Sequence, residues 1–439
     1  MQGERKTLTQ LSVPICLETL FYMLSGMVDT LMLSSVSDQA VGAVGTANTY
    51  IGVFIIMFGV ISSGMVAVMS QNIGAGRPGI AYQARQLGLV FNALTGILMS
   101  VVLAVFSGGI LRAVSIAPAL LESAETYLKI VGGASFLNAL IPIFSSYLRV
   151  FGYTKHSLIG TVVGNVINII LNSVFLFVFN WGVMGVAAAT VFSKVVNLII
   201  VAAMGAVLIK AKQSPERAQS RKILAQIVKI GFPSAFETAL YNVAMTFIVC
   251  FMNHMDTDGM NVTARSYAMQ IANFSYCVGA ALAQANAIMT GWRIGAKKYE
   301  ECDRGTRKAV IYGLVTATCF SVTFAITGRF IVHIFTNDIQ MIDLVVKLLV
   351  VDIFLEFGRV TNLVYGQALK TSGDAIFPVI MGAIFMYLFA VGGTYFLGIH
   401  MGLLAVGAYI AMAGDECARA VGMVLRWKSG KWKSKSLVE

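Results

Sequence analysis

Charge is what this chain has least of. Asp, Glu, Lys and Arg make up 12% of its 439 residues, against about 25% in soluble domains. With 57% hydrophobic residues, a water-soluble globular domain and a disordered chain are both excluded. The six cysteines (16, 250, 277, 302, 319 and 417) include no CxxC pair and have no histidine at ligand spacing. A zinc site, a redox centre and a disulfide-stapled scaffold are therefore not expected. Histidine is rarer still: His156, His254, His333 and His400 all fall near the ends of apolar segments, which argues against a histidine proton relay. No GxxxxGK[ST] stretch occurs, so ATP is not expected to act directly. IGAGRPG at 73–79 is glycine-rich but follows no strand and reads as a tight turn. No Ser–His–Asp, HExxH or paired-carboxylate pattern points to an enzyme, and no cofactor is called for.

What is present is a series of long apolar runs. Twelve spans are expected near 8–35, 41–72, 86–112, 124–150, 157–180, 184–209, 224–255, 261–290, 309–336, 340–370, 374–398 and 401–426. Each is long enough for a helix to cross about 30 Å of hydrocarbon. Period-two alternation is missing, so a strand barrel is not expected. The first run starts at Leu8 and outlasts a signal peptide, so it is expected to be a span. With the N-terminus in the cytoplasm, 24 of the 32 Lys and Arg lie on the inner side. Only 112, 129, 329 and 347 sit near outer ends, and 194, 265, 359 and 419 lie within spans. This bias predicts both termini in the cytoplasm. The outer loops carry Asp38, Glu122, Asp256, Asp258 and Asp338. The basic tail WKSGKWKSKS reads as an anchor on anionic lipid, with no nucleic acid as partner.

The basic connection Lys210–Lys222 divides the chain into 1–215 and 216–439, six spans each. VPICLETLFY (13–22) matches FPSAFETALY (232–241), aligning Pro14 with Pro233 and Glu18 with Glu237 at an offset of 219. IGAG (73–76) matches IGAK (294–297), and LRVFG (148–152) matches LKTSG (369–373), both at 221. Three matches in order mark an internal repeat. An even number of spans per half makes the repeat parallel, with a pseudo-two-fold axis along the membrane normal. This all-α polytopic architecture favours a secondary transporter that alternates access. One chain supplies both lobes, so a monomer suffices.

Acids inside spans are the informative residues, because a charge there is expensive unless it faces a cavity or a partner. In the first span Glu18 and Asp29 are eleven residues apart, on one helix face and about 16 Å apart along the axis. Asp29 reads either as a proton or Na⁺ site or as an acid satisfied by neighbouring amides and hydroxyls. Asn165, Asn168 and Asn172 share a face of the fifth span and either supply carbonyl oxygens to a cation or bind helices together. Glu237 repeats Glu18, whereas Asp29 aligns with Ile248 and has no repeat counterpart. In the tenth span Glu356 and Arg359 stand three residues apart, which leaves Asp352 less fully paired. Asp352, Glu356 and Glu18 form a second candidate ion or substrate site. Asp415 and Glu416 share Arg419 in the twelfth span, which reads as packing and neutralisation. Of the 22 Met, 27 Phe and 15 Tyr, those lining a cavity would give adaptable surface suited to aromatic cations.

Several segments carry a family resemblance. VDTLML (28–33), QNIGAG (71–76), NIILN (168–172), GVMGVAAAT (182–190), IGFP (230–233), LKTSGD (369–374) and DECAR (415–419) stand in the order seen in the multidrug and toxic compound extrusion (MATE) family. The chain resembles that family over nearly its whole length. The resemblance implies two six-helix bundles around a V-shaped central cavity, in a bacterial-type cytoplasmic membrane. It implies antiport of organic cations and drugs against H⁺ or Na⁺. Carried over by position, Asp29 matches the first-span acid, and Asn168 and Thr190 match members of the same cluster, with Na⁺ expected at Asp29, Asn168 and Thr190. Asn172 departs from the aspartate common there. Glu237 resembles the seventh-span glutamate, and Asp352 or Glu356 the tenth-span acid. The alternative is a flippase for a lipid-linked glycan or another lipid, from the same superfamily, which predicts a cavity rich in Lys and Arg.

Overall fold

The computed structural model describes residues 6–113, 116–210, 217–255 and 259–438, without the side chain of Asp38. Arg5, Lys212, Asp256, Asp258 and the expected 215/216 border lie outside the described residues. Among those described there is no strand. The helices are α1 (Leu8–Ser34), α2 (Asp38–Gly74), α3 (Pro78–Ala113), α4 (Pro118–Tyr127), α5 (Phe136–Val150), α6 (Thr154–Ser173) and α7 (Gly182–Leu208), then α8 (Ser220–Asn253), α9 (Met260–Gly295), α10 (Tyr299–His333), α11 (Ile339–Ser372), α12 (Ile376–Phe385) and α13 (Leu404–Lys428). α4, α6 and α12 continue into π-helical turns. Among the described residues eight helices are long and apolar enough to cross a membrane, and α4 with its extension and α5 make a ninth crossing, bent by 42°. The other three crossings expected from the sequence correspond to α9, α11 and α13, which fall outside that count and carry Arg265, then Asp352, Glu356 and Arg359, then Asp415, Glu416 and Arg419.

Local chemistry sets the ends. The Ser37 hydroxyl caps α2 by accepting from the Ala40 amide, and the Asp338 carboxylate caps α11 by accepting from Gln340 and Met341. The repeated turns also match in backbone. IGAG ends on Gly76 at φ 75° and IGAK on Lys297 at φ 60°, the left-handed region where glycine is the easier choice.

The chain divides into two compact units, Met1–Lys6 with Leu17–Gly231, and Thr7–Cys16 with Phe232–Glu439. The first turns of α1 thus cluster with the second unit, in which Leu8 packs on the apolar group around Trp427 and Trp432. The first unit has a core of Leu33, Ala47, Leu103, Leu128 and Val186, among others.

The basic tail is docked, where the sequence suggested a lipid anchor. Trp432 is 1% exposed and stacks on Trp427 at 4.2 Å. Its indole donates to the Trp427 carbonyl at 2.9 Å. Asp374 receives Arg426 and Lys435, each at 2.7 Å. Burial alone would raise the Asp374 carboxyl, but hydrogen bonds from these two cations hold it below the usual carboxylate value. Two buried indoles and a doubly paired carboxylate favour the folded-back tail over an exposed one.

Candidate functional site

Asp29 stands near the end of α1, half-buried, with Asn172 of α6 donating to its Oδ1 at 2.6 Å. The same amide donates to Asn168 Oδ1 at 3.3 Å. One turn separates the two asparagines, so the 3.6-residue period places both beside α1. Asn165 serves a different purpose, donating to the Phe21 carbonyl at 2.7 Å and tying α6 to α1. Asn172 Oδ1 is buried and receives no hydrogen bond. Thr190 of α7 donates to the Val186 carbonyl at 2.8 Å, and Tyr127 lies against Thr190, Asn48 and Asp29. Asp29, Asn168, Asn172 and Thr190 therefore belong to one polar cluster in the first unit.

That cluster holds a cation that the sequence reading left aside. Lys194 follows Thr190 by one turn of α7, donates to Asn138 Oδ1 at 2.9 Å, and lies close enough for its charge to act on Asp29. No described base sits within ion-pair distance of Asp29. A usable signal was present: Lys194 has no acid three or four residues away on its own helix.

Glu18, grouped with Asp352 and Glu356 on sequence grounds, belongs to a different unit from theirs. It lies in the first unit, where it pairs with Arg149 at 2.7 Å and accepts from Ser157 at 3.0 Å and Thr161 at 3.4 Å. Asp352 and Glu356 lie in the second unit. The repeat explains the placement. Glu237 pairs with Lys370 at 2.6 Å, and Lys370 is the counterpart of Arg149 in the LRVFG/LKTSG match. Each unit thus ties the first of its six crossings to the end of the fourth through an equivalent ion pair. Glu237 belongs to the second unit and the Asp29 cluster to the first.

The second unit carries an open cavity of about 430 Å³. Its wall includes Tyr241, Tyr276 and Tyr409, the methionines 245, 269, 386, 412 and 423, and the charged Glu237, Arg265, Asp352, Arg359, Lys370, Glu416 and Arg419. Most of these charges are paired. Arg359 holds Glu356 and reaches Glu416 at 3.5 Å. Arg419 holds Asp415 at 2.5 Å and Glu416 at 3.1 Å, and Asn362 donates to Glu416 at 2.9 Å. The i, i+3 and i, i+4 spacings along α11 and α13 make these pairs local. Two wall charges are left over. Asp352 is 4% exposed with no base in ion-pair distance, and Arg265 is 7% exposed with no acid, among the described residues.

The profile of the MatE family matches residues 14–174 and 233–396, one stretch in each half, starting at Pro14 and Pro233. The chain belongs to the MATE family. MATE proteins are multidrug efflux transporters, and this polytopic chain is a transporter and not an enzyme. It is 32% identical over 437 residues to the uncharacterized transporter YisQ of Bacillus subtilis, covering 98% of this chain and 96% of YisQ. It is 26% identical over 459 residues to the probable multidrug resistance protein NorM of Thermotoga maritima, covering 99% and 94%. A MATE crystal structure in the bent conformation superposes with a TM-score of 0.88 at 19% identity, covering 97% and 96%. A MOP superfamily transporter from Pyrococcus furiosus, described as having a binding pocket of reversed polarity, superposes with a TM-score of 0.86 at 19% identity, covering 97% and 96%.

Proposed function

We propose that this MATE chain is a cation-coupled antiporter that exports organic cations and drugs from the cytoplasm, with Asp29 as the coupling group. The observation that carries the reading is a carboxylate set among amides with no basic partner in ion-pair distance, inside a span. Such an acid is tolerable when charged only while something compensates it. Loading Asp29 with a cation removes that need, weakens the pull on Asn172 and lets α1 repack, which shifts the balance between two access states. The relatives named for multidrug resistance support drug export.

H⁺ is the coupling ion in this reading. Na⁺ needs several oxygen ligands at short range, and the charge of the Lys194 ammonium, which acts on Asp29 without pairing with it, disfavours a second metal cation there. Asn172, in place of an acid, removes a second anionic ligand. Both termini are placed in the cytoplasm by the Lys and Arg bias. The flippase alternative needs free cations for a pyrophosphate. Of the four basic groups at the cavity wall, Arg359, Arg419 and Lys370 are each held by acids, which favours the antiporter.

The test is dye efflux in everted vesicles, with pH and Na⁺ gradients imposed separately. A pH gradient alone should drive wild-type efflux, and Asp29→Asn should reduce it to the level of empty vesicles. Full efflux by Asp29→Asn, or efflux that follows only Na⁺, contradicts the assignment.

A further inference from the structure

We propose that the second-unit cavity selects zwitterionic aromatic substrates, with Arg265 anchoring a carboxylate or sulfonate and Asp352 facing the cationic centre. This deepens the export reading and rests on it. Arg265 projects from α9 into the cavity wall. The residue is buried, yet its sole hydrogen-bond partner among the described residues is the Met245 thioether at 3.7 Å, and its buried Nε has none among them. A buried guanidinium has five N–H donors to satisfy, and a thioether is a weak acceptor. An unpaired buried charge is strongly unfavourable, so the site is completed by an anion brought from outside.

The other bases at the wall do not offer this, because each already holds an acid. Asp352 is the matching single charge of opposite sign, also buried and also in the wall. Tyr409 is in electrostatic reach of both Arg265 and Asp352, so the two charges flank one region of the cavity. Methionine and tyrosine surfaces between them suit a flat apolar body. A ligand with one charge of each sign would satisfy both groups at once; a simple cation would meet Asp352 alone and bind more weakly.

A matched pair of probes tests this. Rhodamine 110 carries a free carboxylate and is zwitterionic; rhodamine 123 is its methyl ester and a cation. Binding of each to the purified full-length protein in nanodiscs is read by fluorescence anisotropy. Rhodamine 110 should bind about tenfold more tightly, as expected for one charge-assisted hydrogen-bond set. Arg265→Gln should collapse the ratio to near one, and Arg265→Lys should keep a preference above one. Equal affinities in the wild type overturn the proposal, as does a preference that survives Arg265→Gln. If Arg265→Gln elutes as aggregate, the wild-type and Arg265→Lys ratios decide alone. Gradient-driven efflux of rhodamine 123 tests the export reading separately. A missing preference with intact efflux sinks only the zwitterion site, and the reverse result sinks only the antiport.

Discussion

The two units share a frame and differ in how they treat charge. Both tie the first of their six crossings to the end of the fourth through a glutamate and a base, Glu18 with Arg149 and Glu237 with Lys370. Beyond that pair, the first unit keeps its in-span charges few, with Asp29 and Lys194 each hydrogen-bonded to an amide. The second unit instead builds a chain of ion pairs, Glu356–Arg359–Glu416–Arg419–Asp415, and leaves Asp352 and Arg265 at its margin. The difference teaches that a repeat preserves what holds helices in register while the groups free to exchange ligands diverge. Paired charges act as structure; single charges are the ones available to ions and substrates.

The sharpest way to break this comparison is to remove one charge of each kind. Arg419→Leu should destabilise the protein by about 3–5 kcal/mol, because it strands Asp415 in the interior and leaves Glu416 only Arg359 and Asn362. Lys194→Met should be near neutral or stabilising, since no acid is stranded. Thermal unfolding in one detergent compares the two, and equal losses would erase the distinction.

A smaller effect is expected at the repeated pairs. Glu18→Gln should lower stability more than Glu237→Gln, with the larger loss about 1.5–3 kcal/mol for a hydrogen-bonded charge. Glu18 is buried and accepts from Ser157 and Thr161 as well as Arg149, whereas Glu237 is half-exposed. The reverse order would show that the equivalence of the pairs is only positional.

Much of this was legible in the sequence. Nine crossings follow from apolar run length, and the repeat follows from three short matches, two of which supply the residues of the equivalent ion pairs. Asp29 with Asn168 and Asn172 was readable because helical spacing alone puts the two amides on one face. Arg359 and Arg419 were readable as neutralised, their acids lying three or four residues away. Lys194 and Arg265 were legible only as bases with no acid three or four residues away on their own helices; which groups of other helices they meet is encoded by no local spacing. The docked tail was missed for a related reason: its Trp and Lys residues suit lipid headgroups and an intramolecular seat equally well. Only the fold supplies Trp427 and Asp374 as the seat.

The smallest expected effect lies in that tail. Asp374 has its acidity strengthened in the folded state. Its contribution is therefore present above the unfolded carboxyl value, near pH 4, and is lost as pH falls through the lower folded value. Melting temperature in the wild type should drop over that acidic window more than in Asp374→Asn. Identical pH profiles would show that the tail contact adds nothing.

The claim on which the account depends is that Asp29 trades a proton for substrate. Addition of a cationic dye to purified protein, loaded at acid pH and held in weakly buffered solution, should release protons in proportion to dye bound, followed with a pH indicator. The account predicts release from the wild type and none from Asp29→Asn. Equal release from both, or none from either while transport still follows a pH gradient, would contradict it.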